Sequence, residues 1–449
     1  VNPRHARLLL HAVSEGGHKS VGQAVRTAAV MSVDTPFLSE VPECEQTRNG
    51  RRSRQDEEQG QDPHGDETAK EDGDLRRGKD ILDPKAAMRA EEDAEKAAEE
   101  ARKEEKKRRM QVARQKQAQF LDRESDVISA VNALYAFEQV QGSRNKWCRN
   151  HALRMKSLVE AQMLTQQLMR VLESTQPDYS STDAVRDVRW PPSKRQRQIL
   201  HRAFLAGWAD KVARRVRVKD IVSRQGEGDD WHHNSKAIRY RSAEADGFVY
   251  MHPRSGLAKL APEYVSYGEI LQTTRPYMRN VSICEPEWLP SLSEYHTTLS
   301  KPLEDPAPWY DSRLDETRCF KQPSFGAHLW QLPLHATQYD DKNGKYLVFA
   351  AALLNGKVVR SFAQLRGSLA AAPASMIRNE GLALPRVHSL LRELKRARVC
   401  SRKALLSAWK EEPSYLRDEV ALWIKNCDRP QLLAVWQELV DLALRSCSD

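Results

Sequence analysis

The sequence predicts an α+β multidomain protein in which helical pieces flank a small β-barrel and a charged insertion interrupts the first helical piece. Three observations predict it. The chain has 449 residues, 40% of them hydrophobic, which suits two or three cores of ordinary size better than one. Between about Glu45 and Gln119 the composition turns to Glu, Asp, Lys, Arg, Gln and Gly, too polar to offset the entropy of ordering a core. From Ile238 to Ile283 the apolar pattern leaves helical spacing for short runs separated by turns, which fits a small barrel.

Residues 1–44 read as two helices, Ala6 to Val13 and Val21 to Val33, broken at Gly16-Gly17 and closed by Pro36. Two helices cannot bury both apolar faces, so this piece needs a partner. Residues 45–120 are the charged insertion, either disordered or a single helix. Within it, Glu92/Lys96, Glu99/Lys103 and Glu104/Arg108 stand at i,i+4 in the favourable order, so a lone charged helix from Pro84 to Gln119 is expected. It has no apolar a/d seam, which argues against a coiled coil.

Residues 121–185 read as a helical bundle, because Val127, Ile128, Val131, Leu134 and Tyr135 share one helical face and Leu164, Leu168, Val171 and Leu172 another. A polar linker opens at Gln176-Pro177-Asp178. Residues 186–300 start with a helix from Gln196 to Val212 and continue as strands at Ile238 to Tyr240, Phe248 to Met251, Tyr264 to Ile270 and Val281 to Ile283. Residues 301–449 open as a Pro-rich connection through Pro302, Pro306 and Pro308. They become mostly helical from Lys345, with Phe349, Leu353, Leu354, Leu390, Leu394, Leu405, Trp409, Leu422 and Trp423 on the apolar faces. No internal repeat is present, which disfavours a solenoid.

A net charge of +9 and a pI of about 9.1, on a chain that is 30% charged, favour a polyanionic partner such as RNA, beside the alternative of a merely soluble basic protein. The seven cysteines are scattered and form no C-x-x-C pair, which points away from a disulfide framework or a zinc site and toward a reducing cytosolic or nuclear compartment. No apolar run approaches the ~20 residues of a membrane span, and Leu8-Leu9-Leu10 is interrupted by His11, so no signal peptide, anchor or membrane partner is expected. Val1 in place of Met predicts that the sequence starts partway through something longer.

Catalytic motifs fail when tested. Ser14 to Ser20 ends in the Lys-Ser of a phosphate loop, but Val13 and His18 stand where glycines are required, so a polar turn between helices is the stronger reading. There is no Asp-Glu-x-His motif, no Gly-rich dinucleotide loop and no Gly-x-Ser-x-Gly elbow. His232-His233 beside Trp231 lacks a third ligand and reads as a surface loop rather than a metal site.

Basic residues interleaved with aromatics do recur. Lys211, Arg214, Arg215, Arg217 and Lys219 follow Phe204 and Trp208, while Tyr250, His252, Arg254 and Lys259 follow Arg239 and Arg241. Cations track phosphates and aromatic faces stack on unpaired bases, so the combination suits single-stranded RNA. The competing reading makes Phe204 and Trp208 core contacts and the arginines a solvated face. On the first reading, RNA contacts fall on Arg214, Arg215, Arg254, Lys259 and Arg275, and less directly on Lys146 and Arg149.

Particular strings carry a resemblance. Asn2-Pro-Arg-His-Ala-Arg-Leu-Leu9 followed by Val30-Met-Ser-Val-Asp-Thr-Pro-Phe37 resembles the end of the winged-helix domain of DEAH-box RNA helicases, and Ser125-Asp126 through Tyr135 with Trp147-Cys148 the helical bundle that follows. Phe248-Val-Tyr-Met-His-Pro-Arg-Ser255, Pro262-Glu-Tyr-Val-Ser-Tyr267, Thr273-Thr274, Tyr277-Met278 and Glu285-Pro-Glu-Trp-Leu289 are similar to that family's oligonucleotide-binding (OB) barrel. Ala213-Arg-Arg-Val216, Lys301-Pro-Leu-Glu-Asp-Pro-Ala-Pro308 and Ala404-Leu-Leu-Ser-Ala-Trp-Lys410 resemble the nucleolar subgroup of the small-subunit processome. Arg254 departs from the serine usual after His-Pro in that barrel.

The resemblance implies a winged-helix remnant, a bundle, an OB-like barrel and a C-terminal domain. It further implies RNA partners (pre-ribosomal RNA and a guide small nucleolar RNA), processome proteins, an activating partner, and location in the nucleus and nucleolus. ATP and Mg would belong to the family's two RecA-like motor domains, which are missing from this chain ahead of Val1, whether encoded upstream or lost, so this chain is expected to hold no cofactor and to lack ATP hydrolysis by itself. The alternative is a scaffold without a motor that binds processome proteins through residues 301–449, with Trp309, Trp330 and Trp436 as candidate anchors, unless these are ordinary core tryptophans.

Overall fold

Asn2 caps helix α1 (Pro3–Gly16) by accepting the Arg4 N–H at 3.0 Å, and Pro3 starts the first turn without wasting a donor. Gly17, at φ +58°, turns the chain directly into α2 (His18–Met31). A phosphate loop follows a strand, whereas this junction follows a helix, so the turn reading of Ser14 to Ser20 stands. The structure, a computed structural model, describes residues 2–41, 84–175, 190–216, 238–244, 247–377 and 384–445. It divides into two units, residues 1–284 and 285–449.

In the first unit, helices α4 (Asp126–Glu138), α5 (Arg144–Asn150), α6 (Met155–Thr175) and α7 (Lys194–Gly207) complete a helical body. Ser125 caps α4, Ser143 caps α5, and Ser193 with Gln196 forms a capping box on α7. Helix α1 packs on α2 and α7, and α2 packs on α4 and α6. Leu8, Val25, Leu134, Phe137, Leu158 and Phe204 share one core, so the partner required by the first 44 residues lies beyond the insertion. Each such buried side chain is worth about 1.5–3 kcal/mol. Glycine is needed at 207, where a Cβ would lie 2.7 Å from the Arg4 carbonyl oxygen, and Arg4 clamps Asp210 at 2.6 and 2.7 Å over the same approach. On α6 the buried stripe is Leu158, Ala161, Thr165 and Met169, rotated from the expected one, and Val171 is 45% exposed.

Helix α3 (Pro84–Gln117) is the single helix expected within the insertion; its 34 residues extend about 51 Å. From Asp93 to Arg108 every side chain is exposed, and Lys103 pairs with Glu99 at 2.6 Å. Among its described side chains the C-terminal root docks, through buried Ala113 and Gln117. Residues 45–83, the linker from Gln176, and Arg217, Lys219, Trp231, His232 and His233 lie outside the described residues.

The sheet of this unit comprises β1 (Val212–Arg215), β2 (Arg239–Ser242), β3 (Phe248–Met251), β4 (Tyr264–Ser266), β5 (Glu269–Gln272), β6 (Pro276–Arg279) and β7 (Ser282–Ile283), in the order β5-β6-β3-β2-β1-β4-β7. Pairing is antiparallel except for β3 with β6. Strand β1 corrects the expected helix, which ends at Gly207. The single strand expected from Tyr264 is broken at Tyr267-Gly268: β4 pairs with β1, and β5 pairs with β6. Among the described residues the ladder is thus an open order rather than the closed ring of the expected barrel. Its core holds Ala213, Tyr240, Val249, Met251, Val265 and Met278.

The second unit contains two three-stranded sheets absent from the sequence reading: β13-β10-β9 and β12-β11-β8. Their strands are β8 (Thr297–Leu299), β9 (Trp309–Asp311), β10 (Glu316–Lys321), β11 (Pro323–Phe325), β12 (Trp330–Gln331) and β13 (His335–Gln338). The expected helices follow: α8 (Gly344–Leu354), α9 (Pro385–Arg396), α10 (Arg402–Glu411), α11 (Arg417–Ala421) and α12 (Arg429–Arg445). Helix α8 is buried from Leu347 to Leu354 and forms the axis of a core with Phe362, Trp409, Trp423 and Trp436. Leu422 is instead 40% exposed.

Candidate nucleic-acid interface

Side chains alternate across a strand, so the pairing register sorts them onto two faces. Ala213, Tyr240, Val249, Met251 and Met278 take the core face. Arg214 pairs in register with Arg241, Arg241 with Phe248, Arg239 with Tyr250, and Tyr250 with Tyr277, so these six residues share the opposite face. All six are partly exposed. Cations and rings interlock there: the Arg241 guanidinium sits 5.7 Å from the Phe248 centroid, and Arg275 sits 5.2 Å from that of Tyr250. Tyr277 meets Tyr250 edge-on at 6.3 Å and His252 at 5.3 Å. Partly solvated ring faces among guanidinium groups are what stacking on unpaired bases and pairing with phosphates require.

The candidate residues separate into groups. Arg214 and Arg275 belong to this face. Arg214 is also held by Glu263 at 3.0 Å and lies 5.5 Å from the Tyr264 ring, so it is positioned rather than loose. Arg215 lies on the strand's other side, where its guanidinium donates to the Ala261 carbonyl at 2.5 Å. Lys259 is exposed beyond a short 3-10 turn. Lys146 and Arg149 are exposed on α5, in the helical body.

Arg254 is fastened internally. It donates to the Leu38 carbonyl at 2.6 Å and to Gln117 Oε1 at 3.4 Å, tying the loop after β3 to the root of α3. Burial, and then the nearby Arg114, lowers its pKa from the usual arginine value. Burial, followed by Arg254 and Arg279, likewise holds the His252 imidazole below its usual range. Phe204 and Trp208 are 1% and 6% exposed and stack on each other at 4.8 Å, so the core reading holds for them.

Sequence reasoning named the strings containing Arg241, Phe248 and Tyr277 without joining them into one surface. The missing signal is register: the expected helix runs to Val212, the first residue of β1, and neither the rest of β1 nor β6, which begins at Pro276, is among the expected strands.

One seam imitates a hydrolase. His201 Nδ1 lies 2.8 Å from Ser282 Oγ, and His201 Nε2 lies 3.6 Å from Glu124. Ser282 is 1% exposed and His201 4%, so no substrate reaches them, and burial lowers the His201 pKa. Beside them, Asp126 accepts from the Gly256 N–H at 2.9 Å, and burial pushes its carboxyl up to about 6. These groups join the helical body to the sheet. Among the described residues no cluster of three or more His, Cys, Asp or Glu could hold a metal, and no helix is long and apolar enough to cross a membrane.

In the second unit Trp330 and Trp436 are 7% and 3% exposed, and Trp436 Nε1 donates to the Pro413 carbonyl at 2.9 Å. Both are core residues. Trp309 is partly exposed and lies 4.7 Å from Phe320.

Comparison with known proteins agrees with this architecture. Residues 200–295 match the oligonucleotide/oligosaccharide-binding (OB)-fold family, and residues 361–440 match the DEAH helicase DHX37 C-terminal domain. The chain is 29% identical over 340 residues to ATP-dependent RNA helicase DEAH13 of Arabidopsis thaliana, covering 72% of this chain and 26% of that protein. It is 32% identical over 291 residues to probable ATP-dependent RNA helicase DHX37 of Homo sapiens, covering 65% and 24%. It is 27% identical over 301 residues to probable ATP-dependent RNA helicase kurz of Drosophila melanogaster, covering 66% and 25%. The chain thus spans about a quarter of the length of the relatives it matches. Carrying a match to that OB-fold and to that C-terminal domain, the chain is similar to the C-terminal region of DEAH-box RNA helicases.

Proposed function

We propose that this chain is the RNA-engaging accessory region of a DEAH-box helicase that acts in small-subunit ribosome assembly in the nucleolus. Pre-ribosomal RNA and a guide small nucleolar RNA are its polyanionic partners, and processome proteins and an activating partner are its protein partners. ATP and Mg would be held by motor domains, with the residues of this chain supplying binding alone. The observation that carries the RNA reading is the sheet face on which Arg241 meets Phe248 and Arg275 meets Tyr250, with Tyr277 and Arg214 on the same face. The processome assignment rests on the resemblance of the Ala213, Lys301 and Ala404 strings and on the match of residues 361–440.

The test is anisotropy of a labelled single-stranded RNA titrated with the full chain. Tyr250→Ala should lose about 1–3 kcal/mol of binding if one base stacks there. Arg241→Gln with Arg275→Gln should flatten the log–log salt dependence by up to about 1.4, or about 0.7 for each phosphate contact. Wild-type affinity and slope in both variants would remove the face from the RNA path. A second reading, docking of a protein through the second unit, is favoured only by the exposed edge of Trp309 beside Phe320. It predicts that Trp309→Ala weakens protein capture and leaves RNA affinity unchanged.

A further inference from the structure

Helix α3 has two electrical halves. Between residues 93 and 100 four carboxylates stand against one lysine, whereas between residues 101 and 117 eight cations stand against two carboxylates. Lys103, Lys107 and Arg114, at i, i+4 and i+11, fall on one side of the helix, with Met110 between them 39% exposed. Among the described residues no carboxylate lies within ion-pair distance of Lys107 or Arg114. The Lys103–Glu99 pair is more than three-fifths exposed on both sides, where such pairs contribute little.

This cationic side joins the sheet face through contacts already described. Tyr277 touches His252, the Arg254 N–H donates to His252 Nδ1 at 3.2 Å, and the Arg254 side chain reaches Gln117 at the root of α3. We propose that the root half of α3 prolongs the RNA path: a single strand stacked on Tyr250 and Tyr277 continues past His252 along Lys103, Lys107 and Arg114. The inference rests on the RNA reading of the sheet face. The acidic outer half repels phosphates and ends the path near Arg102, so the added track is about 20 Å long at 1.5 Å per residue. An acidic protein segment is the competing occupant. The RNA is favoured because the stripe continues an aromatic surface and offers a protein only Met110 as an apolar anchor.

The experiment compares short and long oligouridylates, roughly 8 and roughly 20 nucleotides, to bracket the footprint of one OB domain. Both are titrated with the full chain and with K103Q/K107Q/R114Q, whose three side chains are exposed, with helicity checked by circular dichroism. The variant should bind the short strand as the wild type does, and the long strand should lose its advantage. For the long strand the log–log salt slope should fall by about 2, at 0.7 per phosphate lost. K103R/K107R/R114K should keep wild-type behaviour. An unchanged long-strand slope in the Gln variant overturns the proposal and leaves the stripe to a protein, while the RNA reading survives on short-strand binding. An equal loss for both lengths also overturns it. If the wild-type chain binds neither strand, the RNA reading fails and the proposal fails with it.

Discussion

Gln117→Ala tests how α3 is fastened. The Gln117 side chain is 3% exposed, and its Nε2 donates to the Leu38 carbonyl at 2.9 Å and to the Ala152 carbonyl at 2.8 Å. Each bond contributes about 0.5–1.5 kcal/mol net. Neither carbonyl is orphaned by the substitution, because Leu38 O keeps Arg254 at 2.6 Å and Ala152 O keeps the Leu38 N–H at 3.1 Å. The loss should therefore stay at about 1–3 kcal/mol, without a further desolvation penalty. Gln117→Glu should cost more, since a carboxylate oxygen would face two carbonyl oxygens. With two units in the chain, one global unfolding free energy is not defined, so the assay is hydrogen–deuterium exchange over residues 109–121. Exchange there should quicken by about 5- to 150-fold in Gln117→Ala and more in Gln117→Glu. Unaltered exchange in Gln117→Ala, or a milder effect in Gln117→Glu, would refute the reasoning.

Three further outcomes follow from buried groups. The Asp126 carboxyl is raised from 3.8 to about 6, so its contribution to stability is full below about pH 4 and is lost as pH rises through 6, a change of about 3 kcal/mol. Asp126→Asn should flatten that part of the Tm profile between pH 4 and 7, and an unaltered profile would exclude Asp126 as its source. His201, held below 6.5, acts oppositely, its stability being present above 6.5 and lost as pH falls, so His201→Gln should lessen the acid-side loss in the same scan. Trp436→Ala should destabilise the second unit by about 3–5 kcal/mol in urea titrations, and Trp309→Ala by markedly less, because only Trp436 lies in the core; equal costs would contradict that placement.

Legibility followed the periods. Helical spacing located α1, α2, α4 and α8 to α10, and i,i+4 charge pairs located α3, because these signals are local. Register is not local. That Arg241 faces Phe248 while Tyr240 faces the core depends on which strands pair, and β1 hid behind a helix that stops at Gly207 with no proline to announce it. Arg254 was legible as a cation yet not as a fastener, since its partners Leu38 and Gln117 are 216 and 137 residues away in sequence. The small strands of the second unit run from two to six residues among several prolines, too short for alternation to register.

The most direct measurement of the central claim is photocrosslinking of a 4-thiouridine-labelled single-stranded RNA to the full chain, with the modified peptides mapped. Crosslinks concentrated on residues 248–252 and 275–279 are the predicted result. Crosslinks confined to residues 285–449, or none at all at concentrations that saturate anisotropy, would contradict it.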